Sequence, residues 1–323
     1  AMPMGADAQN KSGLVMQNLD KTVKPADDFY QFATGGWQKN HPLPAAYSRF
    51  GSFDQLAEDN NKRINDILAE LQKKSYKKGT IEQKLADFYK QALDMESRNK
   101  AGIAPVKPLL DEMEAAKSKA DLEKIQLKYA AQGYGVSFGG GFGADEKNVT
   151  MNIFQLSQGG LTLGQKDYYV NNDEATVAIR EAFKKYIADM FKLYGFSAEQ
   201  AEEKAQAVFQ HETMLALISK SATELRNPQA NYNKMTLKEF QSNYPNLHLE
   251  EMCNAEGIKS EFIQDMIVGQ PAFMEGLDKI TAAESAASLK ALMEWDVITS
   301  SAAYLTDEIR ECNFDFFGQT VSG

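Results

Sequence analysis

Histidine, cysteine and positive charge are scarce in this chain of 323 residues. It contains 3 histidines and 2 cysteines, and 35 lysines and arginines face 45 aspartates and glutamates, which gives a formal net charge of −10. A chain of this sign repels nucleic-acid phosphates, so nucleic acid is excluded as an expected partner. Cys253 and Cys312 are too few for a disulfide-rich scaffold. They could close one loop, but their spacing matches no zinc or redox motif, and two buried free thiols are the simpler expectation.

Long apolar runs are also absent. No stretch approaches the roughly 18 consecutive apolar residues of a membrane-spanning helix, and the N-terminus lacks the basic-then-apolar pattern of a signal peptide. The first five residues resemble a cloning scar, so we expect a membrane connection only through a leader or lipid anchor that has been removed. With 43% hydrophobic residues at this length, the sequence predicts a globular protein of about two domains.

Capping signals and apolar periodicity predict a mainly α-helical fold with one small β-hairpin or sheet. Paired capping residues mark the predicted starts of three helices, at Ser52 with Gln55, Thr80 with Gln83 and Ser197 with Gln200. Alternating apolar residues over 148–156 predict a strand, and the glycine-rich run 139–143 before it predicts a turn. Residues 1–24 are predicted to be a flexible lead-in. Residues 25–51 are rich in aromatics without a long period, which predicts a segment that wraps against a larger body.

One segment begins like the zinc-peptidase motif HExxH but does not complete it. His211 and Glu212 are followed by Leu215 where the second histidine is needed, and a lone imidazole does not hold catalytic zinc. We expect His211 on the solvent-facing side of a helix. Glu212 falls on an apolar stripe, so we expect a buried carboxylate with a partner, for which Arg226 is a candidate. The sequence offers no complete active site, and we predict no catalytic residue and no metal ligand on this chain.

The C-terminus carries three phenylalanines, Phe314, Phe316 and Phe317, and no helix is predicted after them. Such residues are sticky if they are exposed. We therefore expect either a truncated or cleaved longer chain, in which they bury against a second polypeptide, or a terminal strand docked on the core.

Six short blocks, in the right order, resemble the neprilysin-like M13 zinc metallopeptidases, the family of the endothelin-converting enzymes and bacterial oligopeptidases. The blocks are residues 27–32 with Gly36 and Trp37, 48–54, 158–163 with 166–169, Glu212 with Leu215 and Ala216, 226–228 with Tyr232 and Asn233, and 314–318 with Ser322 and Gly323. The resemblance departs at Gly164, where the family usually has proline. It runs from about Pro25 to the end and covers the N-terminal half of a family member.

The resemblance implies a two-domain architecture that encloses a central chamber. Residues 25–51 would pack on the catalytic domain, and residues 52–323 would form an incomplete helical cap domain. Zinc, the cofactor of the family, would be bound by the missing C-terminal half, which would be this chain's partner and would hydrolyse short peptides through zinc-activated water. Metazoan members carry many disulfides, and two cysteines are too few for that pattern, so the resemblance implies a bacterial member. Such a member would be extracytoplasmic, that is periplasmic, secreted or on the cell surface.

The resemblance also assigns three substrate-binding residues. Arg49 matches the arginine that grips a peptide's C-terminal carboxylate or a backbone carbonyl, and a planar, bidentate guanidinium suits that task. Phe53 matches an aromatic wall of the pocket after the scissile bond, and Asp54 matches the acid that orients the substrate-binding arginine. The family often has a second arginine at the position of Ala57, so this departure favours endopeptidase or looser oligopeptidase cleavage.

Two functions from different classes follow from these observations. The first is the N-terminal, substrate-gating part of a zinc metalloendopeptidase. The alternative is a non-catalytic helical binding or scaffold protein that retains the cap architecture. The alternative predicts a closed core without an exposed apolar patch around the C-terminal phenylalanines.

Overall fold

A computed structural model describes residues 14–45, 47–130, 132, 134 and 137–322. The chain forms two compact units, residues 1–91 and residues 92–322. The fold is mainly α-helical with one small four-stranded sheet, which confirms the predicted fold class. The predicted domain limits at residues 24 and 51 are not tested by this division and stay predictions.

The first unit contains α1 (Phe29–Asn40), α2 (Ser52–Leu71) and most of α3 (Ile81–Ala92). Residues 25–51 show no long apolar period in the sequence, yet they contain the regular helix α1, which Asp28 caps by accepting a hydrogen bond from the Gln31 backbone N–H at 2.9 Å. Gly36 lies inside α1 for a packing reason. A Cβ atom there would lie 2.2 Å from the Gln17 carbonyl, so glycine lets the helix touch the preceding chain.

The second unit contains the remaining twelve α-helices described for the chain and all four described strands. The helices are α4 (Met95–Ala101), α5 (Lys107–Ala115), α6 (Lys119–Ala130), α7 (Asp167–Val170), α8 (Glu174–Leu193), α9 (Ala198–Ile218), α10 (Pro228–Asn231), α11 (Leu237–Asn243), α12 (Leu249–Ala255), α13 (Pro271–Ala283), α14 (Ala286–Ser301) and α15 (Asp307–Phe314). The predicted capping box at Ser197 and Gln200 is confirmed at the start of α9. Helices α8, α9 and α14 pack together and form the centre of the main core.

The sheet has the strand order β1-β2-β4-β3, with β1 (Phe138–Asp145), β2 (Asn148–Gln158), β3 (Lys234–Thr236) and β4 (Asp265–Val268). The predicted hairpin is β1 with β2, but the prediction of a turn at 139–143 was wrong because these residues form β1. The glycines have a packing role in the strand. A Cβ atom at Gly140 would lie 3.1 Å from the Leu156 side chain and 3.2 Å from that of Phe154.

Helical structure continues to the end of the described chain, contrary to the prediction. Helix α15 runs directly into a π-helical segment, Asp315–Val321. Phe316 is buried within this chain, where its ring stacks on Tyr186 with centroids 4.5 Å apart. Phe317 is half-buried and Phe314 is exposed. The expectation that all three phenylalanines bury against a second polypeptide was therefore wrong for Phe316.

The two cysteines are free thiols, as predicted. Cys253 is buried and Cys312 is half-buried. Burial is the main reason that the pKa of Cys253 rises to about 11, so this thiol stays protonated at neutral pH.

One buried carboxyl group in the second unit makes stability depend on pH. Glu294 on α14 is fully buried, and its Oε2 accepts a hydrogen bond from Lys204 Nζ at 2.5 Å. Its Oε1 has no hydrogen-bond partner in the described structure. Burial, with a contribution from the neighbouring Glu114, raises the pKa of Glu294 to about 8. The folded state therefore binds a proton that the unfolded chain has released above its ordinary pKa of 4.5.

We expect this carboxyl group to lower the free energy of unfolding as the pH rises. Its stabilising contribution is complete below pH 4.5 and is lost as the pH passes through about 8. Between pH 6 and pH 9 the loss should be on the order of 2 kcal/mol. Urea unfolding of the wild type and of Glu294→Gln at both pH values checks this. The variant should lose less stability over that interval, and equal losses would contradict the assignment.

Candidate functional site

Arg49, Phe53 and Asp54 lie where a loop enters α2. Arg49 is exposed, and Phe53 has 86% of its surface accessible. Asp54 is half-buried, and one oxygen of its carboxylate accepts a hydrogen bond from the Gly51 N–H at 2.8 Å. This bond caps α2 and fixes the backbone just after Arg49. Among the described residues Arg49 has no hydrogen bond or ion pair, so its guanidinium is available to a group from outside this unit.

An aromatic cluster positions the loop that carries Arg49. His41 stacks on Trp37 with ring centroids 4.4 Å apart, and its Nδ1 donates a hydrogen bond to the Trp37 carbonyl at 2.9 Å. Phe50 packs beside Trp37, and Tyr47 meets Phe50 edge to face at 5.1 Å. The rings of Trp37, His41 and Phe50 line part of a cavity of about 550 Å³ within the first unit. The residue next to Arg49 is therefore anchored while Arg49 itself projects into solvent.

A buried polar network surrounds Glu212 in the second unit. Glu212 is 3% exposed and accepts hydrogen bonds from the Thr162 N–H at 3.0 Å, the Thr162 hydroxyl at 2.6 Å and the Tyr169 hydroxyl. The indole N–H of Trp295 donates to Thr162 Oγ1 at 3.1 Å. Burial raises the pKa of Glu212, and the three hydrogen bonds act in the opposite direction. The network ties the loop at Thr162 to α9 and α14.

The sequence correctly predicted that Glu212 is buried with partners but named the wrong partner. Arg226 lies in a separate turn of 3₁₀ helix and takes no part in the network. Thr162 and Tyr169 lie in the block at residues 158–169 that resembles the family. That block was the one sequence feature that could have pointed to them as partners of Glu212. Nothing local in the sequence pointed to Trp295, which comes from α14.

His211 is buried, so its predicted solvent-facing position was wrong. It is 6% exposed, and its Nδ1 lies 2.7 Å from Glu284 Oε2. Burial raises the pKa of Glu284, but the hydrogen bonds from His211 and Ser288 outweigh this effect, and the net shift is downward. Glu284 is thus ionised at neutral pH, and because a carboxylate only accepts, the proton between the two groups belongs to Nδ1.

These residues do not fit a catalytic zinc ion. Leu215 occupies the position of the second histidine of HExxH, and Glu212 directs its oxygens to Thr162 and Tyr169. Within the described ranges, no three His, Cys, Asp or Glu side chains are grouped so that they could hold a metal ion.

Comparison with known proteins gives a family match and relatives of much greater length. The model described as "Peptidase family M13" matches residues 25–323. Neprilysin-3 of Drosophila melanogaster is 26% identical over 319 residues, which cover 93% of this chain and 40% of the relative. The endothelin-converting enzyme homolog of Locusta migratoria is 27% identical over 320 residues, which cover 92% of this chain and 43% of the relative. The chain therefore spans less than half the length of these relatives.

Solved structures share the fold. The zinc metalloprotease Zmp1 of Mycobacterium tuberculosis, in complex with an inhibitor, superposes with a TM-score of 0.85 at 24% identity, over 95% of this chain and 47% of that chain. PepO from Lactobacillus rhamnosis superposes with a TM-score of 0.73 at 20% identity, over 91% of this chain and 46% of that chain. The mainly helical architecture with its small sheet is thus a known one, and the family model covers nearly the whole chain. The resemblance predicted from six short blocks is confirmed: the chain belongs to peptidase family M13.

Proposed function

We propose that this chain is the N-terminal, substrate-gating part of a zinc metalloendopeptidase that hydrolyses short peptides. A C-terminal catalytic part of the same protein is its partner, and peptides are its substrates. The family supports a peptidase, and the relatives' names include neprilysin and endothelin-converting enzymes. The relatives extend well beyond the matched region, which leaves room for a catalytic part.

The observation that supports this proposal most strongly is that α2 and α3 each expose a stripe of apolar side chains. On α2 the stripe comprises Leu56, Ile64 and Ile67, and on α3 it comprises Ile81, Leu85 and Phe88. These six side chains are 44% to 73% exposed, and neither helix has a buried residue. An amphipathic helix normally buries its apolar side. Contiguous exposed apolar surface marks a site for a partner.

We propose that Arg49 holds the peptide substrate, either at its C-terminal carboxylate or at a backbone carbonyl. Its exposed, unpaired guanidinium supports this role, because such a group forms strong bidentate hydrogen bonds to carboxylate or carbonyl oxygens. Phe53 forms an apolar wall for the residue after the scissile bond, consistent with its exposed ring. Asp54 fixes the start of α2 and orients the substrate-binding arginine. Residues 25–51 pack on the catalytic domain, and residues 52–323 form the cap.

The proposal assigns zinc to the C-terminal part. The groups around His211 do not fit the ion, and the role proposed for this chain is to contribute peptide contacts, cap walls and size selection.

We place the protein outside the cytoplasm of a bacterium, in the periplasm, on the cell surface or secreted. The two free cysteines are consistent with a bacterial member that is not held together by disulfides. Among the described residues, no helix is both long enough and apolar enough to span a membrane.

The alternative is a non-catalytic helical binding or scaffold protein with the same architecture. The burial of Phe316 within the chain favours it at the C-terminus, because this residue needs no second polypeptide. The exposed stripes of α2 and α3 favour the peptidase part, because a closed scaffold would cover them.

Kinetics of the chain assembled with its C-terminal part test the role of Arg49. We expect Arg49→Ala to raise KM for short peptides about tenfold or more, because a charge-assisted bidentate contact contributes about 1.5–3 kcal/mol. The value of kcat should change less, since Arg49 binds a part of the peptide that does not react. Arg63→Ala, which removes an exposed arginine that lies within α2, is the matched control and should leave KM unchanged. Equal KM values for the Arg49 variant and the wild type would refute this role.

A further inference from the structure

The second unit contains a half-open cavity of about 570 Å³ that the proposed peptidase role does not use. Its walls come from α6, α9, α12, α13 and α14, together with the loop at 160–162 and the start of β1. A volume of this size accommodates a small organic molecule. Apolar side chains form much of the lining, among them Leu127, Phe138, Leu161, Leu292 and Trp295. The cavity can therefore bury the apolar body of a ligand.

The imidazole of His211 is held at the wall of this cavity by its hydrogen bond to Glu284. The His211 Nδ1–H donates to Glu284, and both side chains are less than one-tenth exposed. The opposite ring nitrogen, Nε2, has no hydrogen bond to any described residue and is not among the fully buried polar atoms. His211 lines the cavity, and Nε2 is the ring nitrogen that its contact with Glu284 leaves unused. In the neutral tautomer with the proton on Nδ1, Nε2 accepts a hydrogen bond from a ligand that donates one.

The charges around the cavity favour a cation. Besides Glu212, whose oxygens accept hydrogen bonds within its own network, four carboxylic side chains line it, including Glu123, Glu251 and Glu284, and the lysines in its lining are Lys119 and Lys124. Lys119 donates its Nζ to the Thr281 carbonyl at 2.6 Å, and its positive charge also acts on Glu284. The excess of carboxylates in a partly enclosed, low-dielectric site attracts positive charge and repels anions.

We propose that this cavity binds a small amphipathic amine, with an aromatic or aliphatic body against the apolar wall and an ammonium group beside His211 and Glu284. The ammonium donates one hydrogen bond to His211 Nε2 and is attracted by the Glu284 carboxylate. Two sources supply this chemistry, a free arylalkylamine and the N-terminus of a peptide whose first residue is apolar.

Calorimetric titration of the 323-residue chain with phenethylamine tests the proposal. We expect saturable one-site binding, and we expect phenylacetate, which has the same ring and the opposite charge, to bind at least tenfold more weakly, about the effect of a charge-assisted contact. Glu284→Gln should weaken phenethylamine binding about tenfold or more for the same reason. Glu275→Gln, which changes an exposed carboxylate of α13 outside the cavity, should have no effect. Equal binding of amine and carboxylate, no binding of the amine, or full affinity in Glu284→Gln would overturn the proposal.

A second readout separates a binding defect from a folding defect. The Trp295 indole N–H lies at the cavity wall and gives a distinct proton resonance that should shift when the wild type is titrated with phenethylamine. In Glu284→Gln the free protein should keep its resonance position and respond only at ligand concentrations about tenfold higher or more. A tetrapeptide that begins with phenylalanine distinguishes the sources: tighter binding than phenethylamine indicates a peptide N-terminus, and weaker binding indicates a free amine. An unchanged Trp295 resonance in the titrated wild type would contradict the assigned site.

Discussion

Replacing Glu212 with alanine is expected to lower the free energy of unfolding of the second unit by about 3–5 kcal/mol, because one buried and two part-buried donors lose their acceptor at once. The donors are the Thr162 N–H and hydroxyl and the Tyr169 hydroxyl, all bonded to a carboxylate that is 3% exposed. Glu212→Gln keeps one acceptor oxygen and should cost less. Urea unfolding followed by Trp295 fluorescence, with Trp37→Phe to remove the other tryptophan, reports on this unit alone.

Glu203→Ala is the control for this measurement. Glu203 is an exposed carboxylate on the same helix, and its loss should change stability by no more than about 0.5 kcal/mol. Equal free energies of unfolding for Glu212→Ala and Glu203→Ala would contradict the prediction. The hydrogen bonds of Glu212 would then not stabilise the packing of α9, α14 and the loop at Thr162.

Phe316→Ala is expected to be as destabilising, by about 3–5 kcal/mol, because it empties a filled position in the core. The Phe316 ring is 4% exposed, stacks on Tyr186 and lies 5.6 Å from the Phe183 ring centroid. Phe314→Ala removes the same side chain two residues earlier, where it is 61% exposed, and should cost less than about 0.5 kcal/mol. The same fluorescence measurement compares the two variants. Similar losses for both would mean that the C-terminal helix is not docked on this core.

Features encoded within a few residues of one another were predictable from the sequence. The capping box at Ser197 and the apolar periodicity after it predicted α9, because both depend on contacts inside one helix. The burial of Glu212 followed from its position on the apolar stripe of that helix. Family membership followed from short blocks whose order, rather than any single residue, carried the information.

Features that depend on distant residues were missed. His211 looked exposed because the sequence around it does not show Glu284, which lies 73 positions further along the chain. The glycines of β1 looked like a turn, but they make room for Phe154 and Leu156 on the neighbouring strand.

Taken separately, the two units differ in how far their apolar residues are covered. The second unit has continuous buried cores that include residues from α5 to the C-terminal helix. In the first unit, α2 and α3 leave their apolar stripes open to water. This asymmetry is the physical basis for proposing a partner at α2 and α3.

Affinity between this chain and its C-terminal part is the measurement that tests the central proposal most directly. Sedimentation or surface-capture binding should show a stable complex with the wild type, and Ile64→Glu with Ile67→Glu should weaken it by about a hundredfold or more, since each desolvated charge costs several kcal/mol. Lys62→Glu is the control, because it changes the net charge by the same two units as the double variant. At about 3.6 residues per turn, Lys62 lies on the opposite side of α2 from Ile64 and Ile67. This variant should bind with an affinity near that of the wild type. Absence of a wild-type complex, or equal affinity for the double variant, would contradict the account.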